Sequence, residues 1–354
     1  MMEQDGQVVR QSDTVNRNEG LDWLRGLMAI SIMLYHLDRF IFGDPGSESL
    51  IGRLGIYGVS IFFILSGLSM AMVYARFLNS GRNTLRFFIR RFFRIVPLMV
   101  VAFGLLVMLN ILRSIVGGSI HHSISWGIRI MRGSVPTGSW SIFNEVIFYI
   151  FTPLLIMVYN KKIWTGNVVA LLITVAGMSY SIIMQNPSVR LMDQWGIYIN
   201  PANHFFFYTA GIALFYNFQK IAVKSWLCLV FTGVFMTLFA ILPYSGNQIA
   251  IVAGFNRVLF LFLCVAIVFS FYKLKTSLPE VIRKPLYLFG VATYSVYIFH
   301  TIVLRYIQFF FRGVIELPKP VLFGVTIAVT VPLAIVSYYY LERPFIRLGK
   351  RLSR

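Results

Sequence analysis

Charge is scarce in this chain, and negative charge scarcer still. Only 13% of its 354 residues are Asp, Glu, Lys or Arg, and 13 acids stand against 32 bases. That excludes the balance of an ordinary soluble domain, in which about a quarter of residues are charged. Cysteine is nearly absent: Cys228 and Cys264 lie in apolar stretches without metal-ligand spacing, so they read as small buried hydrophobes and say nothing of redox compartment. Also lacking are a 20-to-50-residue repeat, a low-complexity tract and any long hydrophilic insertion. A solenoid is thereby excluded and a single domain expected.

What is present is apolar. Hydrophobic residues make up 57% of the chain, and a bilayer core about 30 Å thick takes roughly 20 such residues per helical crossing. Apolar runs bounded by charge, Gly or Pro fall near 21–42, 53–75, 95–116, 139–159, 166–185, 203–218, 225–243, 248–272, 287–311 and 320–341. The expected fold is an all-α integral membrane bundle of about ten transmembrane helices. Residues 1–20 are polar and carry Asp5, Asp13 and Glu19, unlike a cleavable signal peptide. They read as a disordered cytoplasmic tail before a membrane domain over 21–345 and a basic cytoplasmic tail over 346–354.

With the N-terminus inside, 22 of the 32 Lys and Arg fall in inner segments, as cytoplasmic loops require. Both termini are then cytoplasmic. The net charge of +19 is explained by topology and needs no nucleic-acid partner; the partner is the bilayer of the inner, cytoplasmic membrane.

Ionisable side chains inside a bundle cost a few kcal/mol each and are functional candidates for that reason. Arg25 and His36 in the first helix are eleven residues apart, hence within about 20° of one face and roughly 16 Å apart along the axis. The same depth arithmetic puts His36, Glu145 in the fourth span and His300 in the ninth in one layer of the outer half-membrane. Two imidazoles and a carboxylate at common depth would make an acid/base site. Arg91 and Arg94 are three apart before the third span, a guanidinium fork suited to phosphates; arginines so placed also serve as topology signals. Asn256, Arg257 and His204 read as pocket lining or packing groups, with packing favoured.

Several segments together resemble the membrane-bound acyltransferase 3 family. They are Leu24-Arg25-Gly26 with His36, the Gly58–Gly67 stretch GVSIFFILSG, Arg90-Arg91…Arg94-Ile95…Pro97, and Ser139-Trp140-Ser141-Ile142-Phe143-Asn144-Glu145…Phe148-Tyr149. Tyr294-Ser295-Val296-Tyr297-Ile298-Phe299-His300 and Leu341-Glu342-Arg343-Pro344 complete the set. The resemblance covers nearly the whole chain. It implies an acyl-coenzyme A donor, acetyl-CoA foremost, entering from the cytoplasm, with Arg25, Arg91 and Arg94 holding it. His36 would act in acyl transfer, as a general base or as the group that first accepts the acyl, and Glu145 would belong to the site, supported by His300, Ser141 and Trp140. No metal is implied. The family often has an acidic residue where Ser60 stands and Gln where Ile147 stands. Ending about ten residues after Pro344, the chain is expected to lack the hydrolase-like domain of some members. Single-domain members commonly modify O-antigen, exopolysaccharide or other surface glycans, the acceptor class expected here. The rival reading is a transporter or flippase of acyl groups or lipid-linked sugars. Such proteins show paired broken helices in inverted repeats, and no clear pair is found in the sequence.

Overall fold

The computed structural model describes residues 18–117, 131, 134–276, 278–312 and 315–354; most of the N-terminal tail, with Arg10 and Arg17, lies outside them. Among the described residues the protein is helical, without strands. The longer helices are α1 (Glu19–Ile41), α2 (Leu50–Tyr74), α3 (Gly81–Val116), α4 (Ser139–Lys161), α5 (Ile163–Met184) and α6 (Phe205–Phe218). They continue with α7 (Ser225–Ile241), α8 (Gly254–Lys273), α9 (Glu280–Val291), α10 (Thr293–Phe311), α11 (Lys319–Ser337) and α12 (Arg343–Leu352), the last two joined by a π-helical turn over Tyr338–Glu342.

Helix starts follow capping chemistry. The side chains of Asn18, Ser49 and Ser80 accept hydrogen bonds from the backbone N–H groups of Leu21, Gly52 and Asn83, satisfying donors a helix leaves open. Among the described residues six helices, α2, α3, α4, α5, α8 and the α11–α12 run, are long and apolar enough to cross a membrane, or seven if α9 and α10 form one bent span. At 23 residues α1 is long enough, but Asp22, Arg25 and His36 lower its apolarity. α6 and α7 are apolar and shorter, at 14 and 17 residues.

The most buried span is α2, which packs on α1, α6 and α8. Close approach to α6 depends on two glycines: a Cβ on Gly67 would lie 2.0 Å from the Tyr208 carbonyl oxygen, and one on Gly211 2.0 Å from that of Ile64. Small residues let helix backbones meet where lipid offers no hydrophobic drive to association. α1 runs antiparallel beside α2, with Ile32 against Gly58 and Tyr35 against Gly55, and its other side meets α9 and α10.

Two expected spans are broken. The 287–311 run bends by 73° between α9 and α10. Thr293 Oγ1 donates to the Phe289 and Gly290 carbonyls at the bend, while Gly290 sits so close to Asp22 that a Cβ would lie 2.5 Å from its carbonyl oxygen. The 248–272 run begins with one separate turn, Ile249–Val252, before Gly254 at φ +58°. Conversely, the helix expected over 95–116 starts at Gly81 and carries the arginine-rich stretch as continuous helix.

Candidate active site

One face of α2 supplies the floor of a cavity of about 430 Å³. Val59, Phe62, Ser66, Ser69 and Val73 are spaced three or four apart and therefore share a helix face, and all five line it. Arg25, Arg91 and Arg94 line the same cavity, as do Ser141 and Glu145. The structure thus brings together five of the eight residues that the family resemblance assigns to the site.

Each arginine is held differently. Arg25 Nη1 donates to Asp22 Oδ1 at 2.7 Å, and Nη2 donates to Ser69 Oγ. Arg91 Nη2 donates to Tyr74 Oη at 3.1 Å, and its guanidinium lies 5.4 and 5.8 Å from the Tyr74 and Tyr149 ring centroids; its buried Nε makes no hydrogen bond. Arg94 is exposed at the cavity margin. The cavity thus has a cationic end with donor capacity to spare, the chemistry that phosphate oxygens match.

Glu145 accepts from Ser66 Oγ and Tyr149 Oη on one oxygen, Oε1. Ser141 Oγ lies 2.7 Å from Tyr297 Oη, and that phenol donates to the Gly138 carbonyl at 3.0 Å. Gly138 has φ +84°, a left-handed conformation that suits glycine, and any Cβ there would meet the Tyr297 hydroxyl at 2.9 Å.

His36 and His300 form a pair of their own. Their rings stack at 5.0 Å and 12°, with His36 Nδ1 2.8 Å from His300 Nε2. His300 Nδ1 is 2.9 Å from the Val296 carbonyl oxygen, which can only accept, so with neutral rings the proton of His300 sits on Nδ1. His300 Nε2 is then an acceptor and His36 Nδ1 its donor, which leaves the lone pair of His36 on Nε2. No other hydrogen bond to the His36 ring is made among the described residues. The arrangement delivers an oriented imidazole with a free basic nitrogen.

The three-residue layer is corrected by this geometry. His36 and His300 share a depth, but Glu145 does not join them. It is bonded to Ser66, one turn from Ser69, which holds Arg25; Glu145 therefore sits near the arginine end, about 10 Å short of the imidazoles along the helix axes. The physical cause is that α4 begins inside the bundle: its first turn starts beside Tyr297, one turn below His300. Trp140 also stands apart, packing with Phe63, Trp195, Tyr198 and His204 at centroid distances of 5.1 to 6.4 Å rather than lining the cavity.

Sequence reasoning assigned no role to Asp22, Ser66, Ser69, Tyr149 or Glu342. The i,i+3 spacing of Asp22 and Arg25 was a usable signal. Glu342, in the π-helical turn, is buried, accepts from Ser295 Oγ on Oε1 and leaves Oε2 without a partner; only the fold shows this. Arg257 and His204 are fully buried and bond backbone carbonyls, in line with packing roles, and Asn256 Nδ2 donates to the Ala250 carbonyl at 2.6 Å. Cys228 and Cys264 are buried and unpaired.

Comparison with known proteins decides the family. The sequence profile of an acyltransferase domain, acyltransferase 3, matches residues 18–339. The chain belongs to this family. Among curated relatives, it is 23% identical to the peptidoglycan O-acetyltransferase OatA of Listeria monocytogenes, over 93% of this chain and 56% of that protein. A protein named as an O-acetyltransferase in Staphylococcus aureus strain COL is 26% identical over 93% of this chain and 57% of its own length. Protein 2 in the picA locus of Rhizobium radiobacter is 38% identical over 24% of this chain and 42% of its own. The chain thus spans about half the length of the curated relatives it matches. No solved structure matches it.

Proposed function

We propose that this acyltransferase-family protein is a membrane-embedded O-acyltransferase. It moves an acyl group, acetyl foremost, from acyl-coenzyme A on the cytoplasmic side to a hydroxyl of an extracytoplasmic or lipid-linked surface carbohydrate. The observation that carries this reading is the cavity along α2, with Arg25, Arg91 and Arg94 at one end and the His36–His300 pair beyond the other. The eleven-residue spacing from Arg25 to His36, about 16 Å of helix, suits an extended pantetheine arm. The arginines would take the donor's phosphates, and the apolar walls its arm. The Listeria relative is named for a glycan outside the membrane, and an acceptor of that class fits a site whose imidazole lies away from the arginines.

In the transfer, the lone pair on His36 Nε2 takes the proton of the acceptor hydroxyl while its oxygen attacks the thioester carbonyl. A C–O bond forms, the C–S bond breaks, and the coenzyme A thiolate leaves with the proton returned from the imidazolium. His300 holds His36 in the tautomer that this step needs. Prior acylation of His36 would use the same nitrogen.

The topology proposed with it has ten crossings, counting α1 through α8, the bent α9–α10 pair and the α11 run, with both termini in the cytoplasm of an inner-membrane protein. Activity reporters fused after Arg94 and at the C-terminus should both read cytoplasmic; opposite sides would overturn it.

The chemistry is tested with purified protein in detergent, where transport across a membrane has no meaning and transfer alone can register. Acetyl-CoA and isolated surface glycan should give an acetyl ester detectable by mass spectrometry, and His36→Ala should abolish it with coenzyme A binding intact. Full transfer in that variant would refute the role of His36. Absence of both transfer and donor binding in the native protein would favour the transporter reading.

A further inference from the structure

The interior face of α1 is open at two places. Leu27, Ser31, Leu34 and Asp38 form its outward strip, exposed or partly exposed and within about 60° of one another on the helix. His36 and Phe40 lie about 170° and 150° from the middle of that strip, on the side where α1 meets α2 and α10. Yet Phe40 is 47% exposed and His36 partly exposed. Between them and Arg25 the same face is closed, with Ala29 and Ile32 without exposure. His36 does not line the cavity that holds the arginines, so a second opening reaches it from the opposite end of α1, the outer end in the topology proposed above.

The rim of this opening is held in place. Arg39 lies one turn beyond His36 and is its neighbour on the helix surface. Its Nη1 donates to Tyr35 Oη at 2.9 Å, and its Nη2 is 3.6 Å from Asp44 Oδ2. Asp44 Oδ1 in turn accepts from Nε2 of the buried Gln248 at 2.6 Å. The Asp44 side chain remains 44% exposed, and the guanidinium has N–H groups to spare. The exposed Phe40 ring lies nearly parallel to that of His36, at 5.9 Å and 12°. A guanidinium only donates and a carboxylate only accepts, whereas a hydroxyl does both. Two neighbouring hydroxyls therefore match this pair, while a charged group would be repelled by one member of it, and the apolar face of a sugar ring suits Phe40.

We propose that Phe40 and the Arg39–Asp44 pair form the acceptor subsite and take an uncharged sugar ring of the glycan. The C–H face of the ring lies against Phe40, two neighbouring hydroxyls bond Arg39 and Asp44, and another hydroxyl is left at His36 Nε2. The inference rests on the acyl-transfer reading above. Donor and acceptor then approach the imidazole from opposite ends of one face of α1, so contacts at Arg39 bear on the acceptor and leave the donor's phosphates untouched.

The test measures both Michaelis constants in purified protein with acetyl-CoA and isolated surface glycan. Arg39→Gln should raise KM for the glycan by about 10-fold or more, the loss of charge-assisted hydrogen bonds, and Phe40→Ala should raise it as well. Arg39→Lys, which keeps the charge and loses the planar fork, should fall between native protein and Arg39→Gln. KM for acetyl-CoA should be unchanged in all three. An unchanged glycan KM, or equal changes in both constants, overturns the proposal. A second readout is independent of catalysis and of the arginine variants. The native thiols Cys228 and Cys264 have no exposure, so a maleimide should label the thiol introduced by Phe40→Cys above a low background. The isolated glycan should slow that labelling and coenzyme A should not. No protection by the glycan, or protection by coenzyme A, overturns the subsite. Protection by the glycan without acetyl transfer by the native protein would keep the subsite and discard the acyl-transfer reading.

Discussion

The protein holds two groups of arginines inside the bundle or at its cavity, and they are held to different ends. Arg53 and Arg257, 2% and 1% exposed, give their hydrogen bonds to main-chain carbonyls. Arg53 reaches those of Ser47, Phe239, Ala240, Leu242 and Tyr244; Arg257 reaches those of Val252 and Asn203 while its guanidinium lies 5.5 Å from two phenylalanine ring centroids. Both repair places where helices stop and leave acceptors open. Arg25 and Arg91 bond side chains instead and face the cavity with Arg94. Burial of a charge within a membrane bundle is thus not by itself a mark of catalysis; the partner is. The histidines divide the same way: His204 Nε2 bonds the Tyr198 carbonyl among aromatics, whereas His36 bonds a second imidazole and retains a free nitrogen.

Breaking the imidazole pair should have the largest effect on the cavity side. In His300→Ala, His36 Nδ1 loses its acceptor and the ring its fixed tautomer, so kcat should fall roughly 100-fold, within the range that general-base catalysis contributes, with KM for the donor unchanged. His300→Gln restores an acceptor and should recover part of the loss. A purely structural His300 would instead show equal losses in both variants, tracking the amount of folded protein.

His36 and His300 were expected at one depth and lie against each other in the structure, although the count that placed His300 ran straight from Tyr287 through the bend between α9 and α10. Glu145 was misplaced by the same method because α4 begins inside the bundle at Gly138, and nothing in Ser139–Tyr149 records where a helix starts relative to lipid. The bend at Ala292 was missed for a related reason: the apolar run is continuous from Tyr287, and what turns it is Gly290 against Asp22, a contact between distant segments. Arg91 and Arg94 line one cavity, as i,i+3 spacing on a helix allows, but the orientation of Arg91 by Tyr74 and Tyr149 depends on tertiary packing.

The two cation groups can be separated by paired truncations with opposite readouts. Arg91→Ala should weaken coenzyme A binding by about 10- to 100-fold, the loss of a charge-assisted hydrogen bond or two, without lowering thermal stability. Arg257→Leu should do the reverse: it leaves the Asn203 and Val252 carbonyls without a donor and should cost about 2–3 kcal/mol of stability, with donor affinity of the folded fraction unchanged. If Arg257→Leu weakened donor binding and left stability alone, the division by partner would be wrong.

The smallest effect is the sharpest comparison, because both halves of it lie on α2 and both remove one hydroxyl. Ser69 accepts from Arg25 at the cavity; Tyr57, fully buried, donates to the Ile251 carbonyl at 2.5 Å where the eighth span is broken. A typical hydrogen bond contributes about 1 kcal/mol net, or roughly 5-fold in an equilibrium. Ser69→Ala should therefore raise the donor KM about 5-fold, since Asp22 still holds the Arg25 guanidinium and the loss is one of aim rather than charge. Neither kcat nor thermal stability should move. Tyr57→Phe keeps the ring stacked on Phe260 and leaves a carbonyl unpaired, so its cost of about 1–3 kcal/mol should appear wholly as lowered stability, with KM unchanged. Were the two variants to show the same pattern, α2 would act as one structural element, and the functional face read from Phe62, Ser66 and Ser69 would have to be abandoned.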